Sequence, residues 1–221
     1  MILSALRLSL AASVLATAAV AIAGTLAGWL LARREFRGRE LLDALLNLPL
    51  VLPPTVTGYY LLVALGRGGL LGAPLYRITG WSVTFTWVAC VVAGAVMAFP
   101  LMVRSARVAF EETDRRHEIA AASLGHGWLS TFAFVSLPLA RRGLAAGVIL
   151  SFARAVGEFG ATLMLAGNIP GRTQTLPLAI YDAVISGQDR AAASLAVMLT
   201  AVSVAVMLAA GRLGRPGRAG R

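Results

Sequence analysis

Five long apolar runs alternate with polar stretches along the chain, at residues 8–32, 44–65, 82–103, 143–169 and 191–211. A helix needs about 20 residues to cross the hydrocarbon layer of a bilayer, and every run reaches that length. The runs lack the strict polar and apolar alternation of barrel strands, so each predicts a membrane-spanning helix. The pattern predicts an all-α, polytopic membrane protein whose residues 1–221 form one transmembrane domain.

The composition agrees with a membrane protein and removes several kinds of chemistry. Hydrophobic residues make up 58% of the 221 residues, against about 45–50% in ordinary proteins. All 20 basic residues are arginines, so no lysine is present for a phosphate-binding P-loop. Cys90 is the single cysteine, and the two histidines, His117 and His126, are predicted to be surface residues, with no metal site.

The arginines predict the orientation in the membrane. Residues 33–43, 104–142 and 212–221 hold 14 of the 20 arginines, and the three regions share one side if all five runs cross. Because positive residues stay inside, this side is predicted to be cytoplasmic, with the N-terminus outside and the C-terminus in the cytoplasm. One arginine precedes the first run and four follow it, the reverse of a secretory signal, so this run is expected to remain as a span.

Two predicted spans contain unusual residues. Pro49, Pro53 and Pro54 predict a packing kink in the second span, with a moving gate as the alternative interpretation. Arg154 and Glu158 are the only formal charges deep in any span, and their spacing of four residues predicts one helical face. They form either a structural ion pair that orients the span or a part of a pathway in which Arg154 attracts a passing anion.

The longest connection, residues 104–142, carries the strongest functional signal. Its part from Glu118 to Ala140 predicts a short helix, a break at Gly125 and Gly127, and a second apolar helix that continues to Pro138. One interpretation is a helix–turn–helix unit that projects from the membrane. The other is a helix that lies on the lipid surface with its aromatic residues as anchors.

This connection resembles the EAA loop of ABC importer permeases. Aligned on Gly125, Ala120 and Ala121 match the start of the motif, and Val135, Leu137 and Pro138 match its end. Ile119 stands at the position of the motif's glutamate, directly after Glu118. The resemblance implies that the loop couples to an ATPase, through Glu118, Ala120, Ala121, Gly125, Trp128, Leu137 and Pro138.

The resemblance extends over nearly the whole chain and is closest to molybdate importer permeases. It rests on LPLVLPPTVTGYYLLVALGRGG, MAFPLMVRSARVAFE and FARAVGEFGATLMLAGNIPGRTQTLPLAIY. The resemblance implies a type I ABC importer permease-like bundle with about five transmembrane helices per subunit, in the bacterial inner membrane. Sulfate and tungstate permeases remain the alternative readings.

What this family implies about partners is specific. A second copy of the chain would complete the pathway, and two cytoplasmic ATPase subunits would bind ATP, so no cofactor is expected in the chain itself. An external molybdate-binding protein would dock on loops 66–81 and 170–190, with Asn168, Arg172 and Gln174 as candidate contacts. Nucleic acid is not an expected partner.

Two other classes of function are open to the same spans. The same five spans could form a passive anion channel, but a channel does not need an EAA loop. An intramembrane enzyme has Glu158 as a lone candidate acid, with no paired base, nucleophile or metal cluster beside it. The expectation is therefore a transport subunit that is not itself an enzyme.

Overall fold

The computed structural model describes residues 2–213, and within that range the chain is helical and contains no β-strand. The helices are α1 Ile2–Arg33, α2 Arg39–Val51, α3 Pro54–Leu65, α4 Gly72–Thr79, α5 Trp87–Glu111, α6 Arg115–Ser123, α7 Trp128–Thr131, α8 Leu137–Val156, α9 Gly160–Ala166, α10 Leu176–Ile185 and α11 Asp189–Leu213. A π-helical turn, Phe132–Ser136, joins α7 to α8.

Four helical segments are long and apolar enough to cross a membrane: Ile2–Arg33, Trp87–Glu111, Trp128–Val156 and Asp189–Leu208. The pair α2 and α3 adds a fifth if its two helices count as one bent span. The predicted class, an all-α polytopic membrane protein with about five spans, is confirmed.

The second predicted span, 44–65, is not one helix. Helices α2 and α3 meet at an angle of 115°. Leu52 and Pro53 are both extended, with ψ values of 143° and 137°. A residue before proline avoids the helical region, and Pro54 then starts α3 at a position where its missing N–H costs nothing. Two successive prolines thus produce a sharp break where the sequence predicted a kink.

The fourth predicted span, 143–169, also differs from the observed helices. Helical structure begins at Trp128, well before residue 143, and α8 ends at Val156. The chain leaves the helix through Gly157, Glu158 and Phe159, and a separate short helix, α9, follows. The residues on both sides of this break are apolar, so the hydropathy stays high across it. The hydropathy pattern therefore did not reveal the break.

The third predicted span, 82–103, is displaced along the chain. Helix α5 begins at Trp87 and continues to Glu111, so Arg104 and Arg107 lie within the helix and not in a loop. An arginine near a helix end can extend its charged group toward the interface, so the helix can continue beyond the end of the apolar run. Helix α5 is therefore longer at its arginine-rich end than hydropathy alone predicted.

Small residues hold α1 and α8 against α5. A Cβ on Gly28 would lie 2.6 Å from Cβ of Ala106, and a Cβ on Gly143 would lie 2.4 Å from Cβ of Ala109. In membranes, where lipid is as apolar as leucine, such close backbone contact is a main source of helix association. Gly24 and Gly28, which form a GxxxG spacing, thus serve packing within the chain.

The long helices define two ends of the molecule. Arg33 at the end of α1 and Glu111 at the end of α5 lie at the same end as α6. At about 1.5 Å per residue, the 25 residues of α5 place Trp87 roughly 37 Å away. The ends of α3 and α9 also lie near Trp87, so the loops that follow them form the opposite end.

Candidate functional site

Helix α6 begins and ends as its sequence directs. Asp114 caps it, because its side chain accepts a hydrogen bond from the Arg116 backbone N–H at 2.9 Å. At the other end Gly125 has φ of +87°, a left-handed conformation that favours glycine. Helical structure resumes at Trp128. The structure thus contains a helix, a glycine turn and a second helix in the predicted order.

The Glu118 side chain points from α6 toward the membrane helices. Its Oε1 lies 3.0 Å from Nε of Arg33 and accepts a hydrogen bond from Oγ of Ser136 at 2.7 Å. Arg33 also donates to the carbonyl of Thr113 at 3.1 Å, and Arg115 donates to the carbonyl of Arg33 at 2.9 Å. The side chains of Arg33 and Glu118 are only 6% and 18% exposed. Glu118 therefore ties α6 to α1 and to the π-helical turn.

A π-helical turn carries Ser136, whose hydroxyl reaches this ion pair. It spans Phe132–Ser136, and both of its terminal residues are buried. The Phe132 ring packs edge-on against Trp29 at 5.3 Å between centroids, and Trp128 lies 6.2 Å from the same indole. Single π turns inside helices frequently occur at functional sites. No feature of the sequence predicted this turn.

The outer side of the predicted coupling loop, from Glu118 to Pro138, is apolar and open. Ile119, at the position of the motif's glutamate, is 64% exposed, and Leu124 is 82% exposed. A groove of about 490 Å³ lies beside them, and we call it the α6 groove. Its wall includes Ala120, Ala121, Leu124, Phe134 and Pro138.

Two other predicted coupling residues, Trp128 and Leu137, do not line this groove. Trp128 is 66% exposed although its ring also contacts Trp29. Leu137 packs against the cluster of buried residues around Phe110 and Phe132. His117 and His126 are exposed at the groove, and Nδ1 of His126 lies 2.9 Å from Oγ of Ser130.

A second polar network, absent from the sequence predictions, joins α2 to α5. Arg104 donates to Oδ1 of Asn47 at 2.6 Å, and Asn47 donates to Oδ1 of Asp43 at 2.8 Å. Arg107 pairs with Asp43 at 2.8 Å and with Glu111 at 2.8 Å. The spacing of Asp43 and Asn47 on one face of an apolar helix was the available signal.

The predicted pair of Arg154 and Glu158 is present, with Nη1 and Oε2 2.5 Å apart. The two residues do not share a helical face, because α8 ends at Val156 and Glu158 lies in the break. Its second oxygen, Oε1, accepts a hydrogen bond from the N–H of Ala161 in the first turn of α9 at 2.7 Å. With Glu158 only 3% exposed, one carboxylate both neutralises Arg154 and caps a buried helix.

The three candidate docking residues differ in accessibility. Gln174 is only 6% exposed, and its Nε2 donates to Oδ2 of Asp182 at 3.3 Å, so a partner has little of it to contact. Asn168 is half-buried. Arg172 is exposed and lines a large pocket at the end opposite α6.

Comparison with known proteins identifies the family. A family model described as "Binding-protein-dependent transport system inner membrane component" matches residues 24–216. The chain belongs to this family of multi-pass inner-membrane transport components.

Curated relatives of the chain include both molybdenum and sulfate permeases. The chain is 44% identical over 215 residues to the molybdenum transport system permease protein ModB of Escherichia coli K12, covering 97% of this chain and 94% of that protein. It is 46% identical over 180 residues to ModB of Haemophilus influenzae, covering 81% of this chain and 79% of the relative. The sulfate transport system permease protein CysT of Salmonella typhimurium is 36% identical, with 93% and 74% covered.

Solved structures share the fold. The inward-facing MetNI methionine ABC transporter superposes with a TM-score of 0.75 at 17% identity, covering 97% of this chain and 95% of that chain. A bacterial ABC transporter that imports alginate gives a TM-score of 0.76 at 13% identity, with 98% and 80% covered. The predicted type I importer permease fold is therefore confirmed.

Proposed function

We propose that the chain is the membrane-spanning permease subunit of an ATP-driven importer for molybdate. The observation that carries this proposal is the higher identity to molybdenum permeases, 44% and 46%, than to the sulfate permease, 36%. Two copies of the chain form the pathway across the bacterial inner membrane. An external molybdate-binding protein delivers the anion.

The α6 groove is the proposed contact for the cytoplasmic ATPase subunits. Exposed apolar side chains such as Ile119 and Leu124 are suited to burial against a partner, because the removal of apolar surface from water is favourable. Motion of α6 would reach the membrane helices through the Arg33–Glu118 pair and the bond from Ser136. In this mechanism, closure of the ATPase dimer moves α6 as a rigid body. The pathway then opens toward the outside of the membrane, as in alternating access.

ATP is proposed to bind only to the partner subunits. The chain has no lysine, so it cannot supply the lysine of a phosphate-binding P-loop. We infer that the permease uses no cofactor of its own and contributes the pathway and the coupling surface.

The proposed orientation has the N-terminus outside and the C-terminus in the cytoplasm. It rests on the arginine distribution and on the position of α6 at the arginine-rich end. A reporter that is active only in the periplasm, fused after Arg221, is expected to be inactive. An active reporter would reverse the assignment.

Transport by the reconstituted complex tests the proposal. Proteoliposomes containing the permease and its ATPase are expected to take up labelled molybdate only with ATP at the ATPase face and binding protein at the other. Sulfate in excess is expected to compete weakly. Sulfate-specific uptake would favour the sulfate permease reading, and uptake without ATP would favour a passive channel.

A further inference from the structure

A solvent-open pocket of about 850 Å³ lies at the end of the molecule opposite α6. Three parts of the chain that are distant in sequence form it: the loop after α3, the loop before α5 and the turn after α9. Arg67 and Arg172 line it from two of these parts. Ser82 and Thr84 line it from the third.

The two arginines have no carboxylate partner within the part of the chain that the structure describes. Neither takes part in any of the five ion pairs found there. Asp182 is the next carboxylate along the chain after Arg172, but it accepts a hydrogen bond from Gln174. The guanidinium carbon of Arg67 lies 5.1 Å from the centre of the Tyr76 ring, a contact that positions the side chain and leaves its charge unneutralised.

The pocket also offers hydroxyl donors. Oγ of Ser82 and Oγ1 of Thr84 are 2.9 Å apart, so one donates to the other and the second keeps a hydrogen for a ligand. Arginine donates several N–H groups in a planar fork that suits the oxygens of an oxyanion. The pocket therefore combines positive charge with neutral donors.

The wall of the pocket is fixed to the helical bundle. Phe85 is the only non-glycine residue with positive φ within residues 2–213, at 59°, and its N–H donates to the carbonyl of Leu165 in α9 at 3.2 Å. On the neighbouring turn, Oγ1 of the fully buried Thr173 accepts from the N–H of Ile169 and donates to the carbonyl of Gly167. These bonds hold the loops that carry Thr84 and Arg172.

We propose that this pocket, the Arg67–Arg172 pocket, is a receiving site for a tetrahedral divalent oxyanion on its way from the binding protein into the pathway. The inference rests on the proposed function, in which the anion is molybdate. One water occupies about 30 Å³ of liquid, so the pocket also holds much of the anion's hydration shell. Binding there is weak and fast, and the arginines act by raising the local anion concentration.

A labelling experiment tests the pocket without relying on transport. Ser82→Cys places a thiol in the wall, and the buried Cys90 of the parent permease–ATPase complex gives the background. A negatively charged thiol reagent is expected to react several-fold faster than a positively charged one. Molybdate is expected to slow the reaction, whereas chloride at equal ionic strength is not. Adding Arg67→Gln and Arg172→Gln is expected to abolish both effects.

Three results would overturn the proposal that the pocket receives an oxyanion. They are equal rates for the two reagents, no protection by molybdate or by sulfate, and undiminished protection after both arginines are replaced. Protection by sulfate alone would keep an oxyanion site and change its ligand. Uptake by the parent complex, measured separately, decides the proposed function, so the two can fail independently.

Transport in the same variants shows whether the site acts on the pathway. The double Arg67→Gln and Arg172→Gln variant is expected to lose several-fold of molybdate uptake per ATP hydrolysed, while the loaded binding protein still stimulates hydrolysis. Arg77→Gln is the matched control, because Arg77 is exposed on α4 at the same end but does not line the pocket. If the stimulation of ATP hydrolysis falls as much as uptake does, the arginines contact the binding protein, and the proposal of a receiving site is wrong.

Discussion

Arginines serve opposite purposes at the two ends of this molecule. At the α6 end, Arg33 pairs with Glu118, and Arg107 pairs with Asp43 and Glu111. At the other end, Arg67 and Arg172 face a pocket and form none of the ion pairs in residues 2–213. Seven of the ten carboxylates lie between residues 35 and 118, which accounts for much of the difference.

A count of arginines for topology treats all of them alike. The structure separates those that tie helices together from those whose charge is available to a ligand. The loss of one partner from a buried ion pair strongly destabilises the fold, whereas the removal of an exposed, unpaired charge changes stability little. Substitutions at the two ends are therefore expected to affect different properties.

One of the two largest effects is expected at Glu118. Glu118→Gln leaves Arg33, which is 6% exposed, without its counter-charge, and we expect a loss of about 3 kcal/mol in stability. Thermal unfolding of the purified complex measures this loss. Glu112→Gln, an exposed neighbour at the end of α5, is the control. Equal unfolding temperatures for the two variants would contradict the tie between α6 and α1.

The pair in the core should behave as a unit. Arg154→Gln or Glu158→Gln alone leaves an uncompensated charge in the membrane, which costs roughly 2.5–3.5 kcal/mol at a central position. Removing both is expected to harm assembly less than removing either, as judged by the amount of folded protein in the membrane. A normal amount in all three variants, with transport lost equally, would instead assign Arg154 to the anion pathway.

A smaller effect is expected at Arg107. Its side chain is 30% exposed, so screening by water limits each of its pairs, and we expect Arg107→Gln to cost about 1 kcal/mol. Salt should reduce the difference between this variant and the parent. A difference that is independent of salt would indicate packing as its cause.

The smallest effect on stability is expected at the opposite end. Arg67→Gln and Arg172→Gln should each change unfolding by less than about 0.5 kcal/mol, since neither arginine holds an ion pair in the described residues. The same unfolding assay measures this. A loss as large as that of Glu118→Gln would show that these arginines are structural.

The parts of the fold that hydropathy governs were predictable from sequence. Apolar runs indicate the helices because the bilayer requires both length and internal hydrogen bonding. The break at Pro53 has a visible cause and was predicted as a kink, but its angle depends on packing. The break at Glu158 was hidden, because the residues around it are as apolar as a helix interior.

The sites were predictable only where local sequence forms them. The glycine turn at residue 125 follows from neighbouring residues alone. The inward direction of Glu118 depends on Arg33, which is 85 residues away, and on the π-helical turn. The Arg67–Arg172 pocket needs three distant loops brought together, and sequence spacing cannot indicate such a meeting.

Copurification of the ATPase with two matched variants tests the central claim, that the α6 end couples the permease to ATP. Leu124 in the α6 groove and Leu70 at the other end are 82% and 86% exposed, so a charge at either site leaves folding intact. Leu124→Asp is expected to lose the ATPase and ATP-dependent uptake, because the charge enters an apolar contact. Leu70→Asp is expected to retain the ATPase. If Leu124→Asp binds the ATPase as well as Leu70→Asp does, and still imports molybdate, the α6 groove is not the coupling surface.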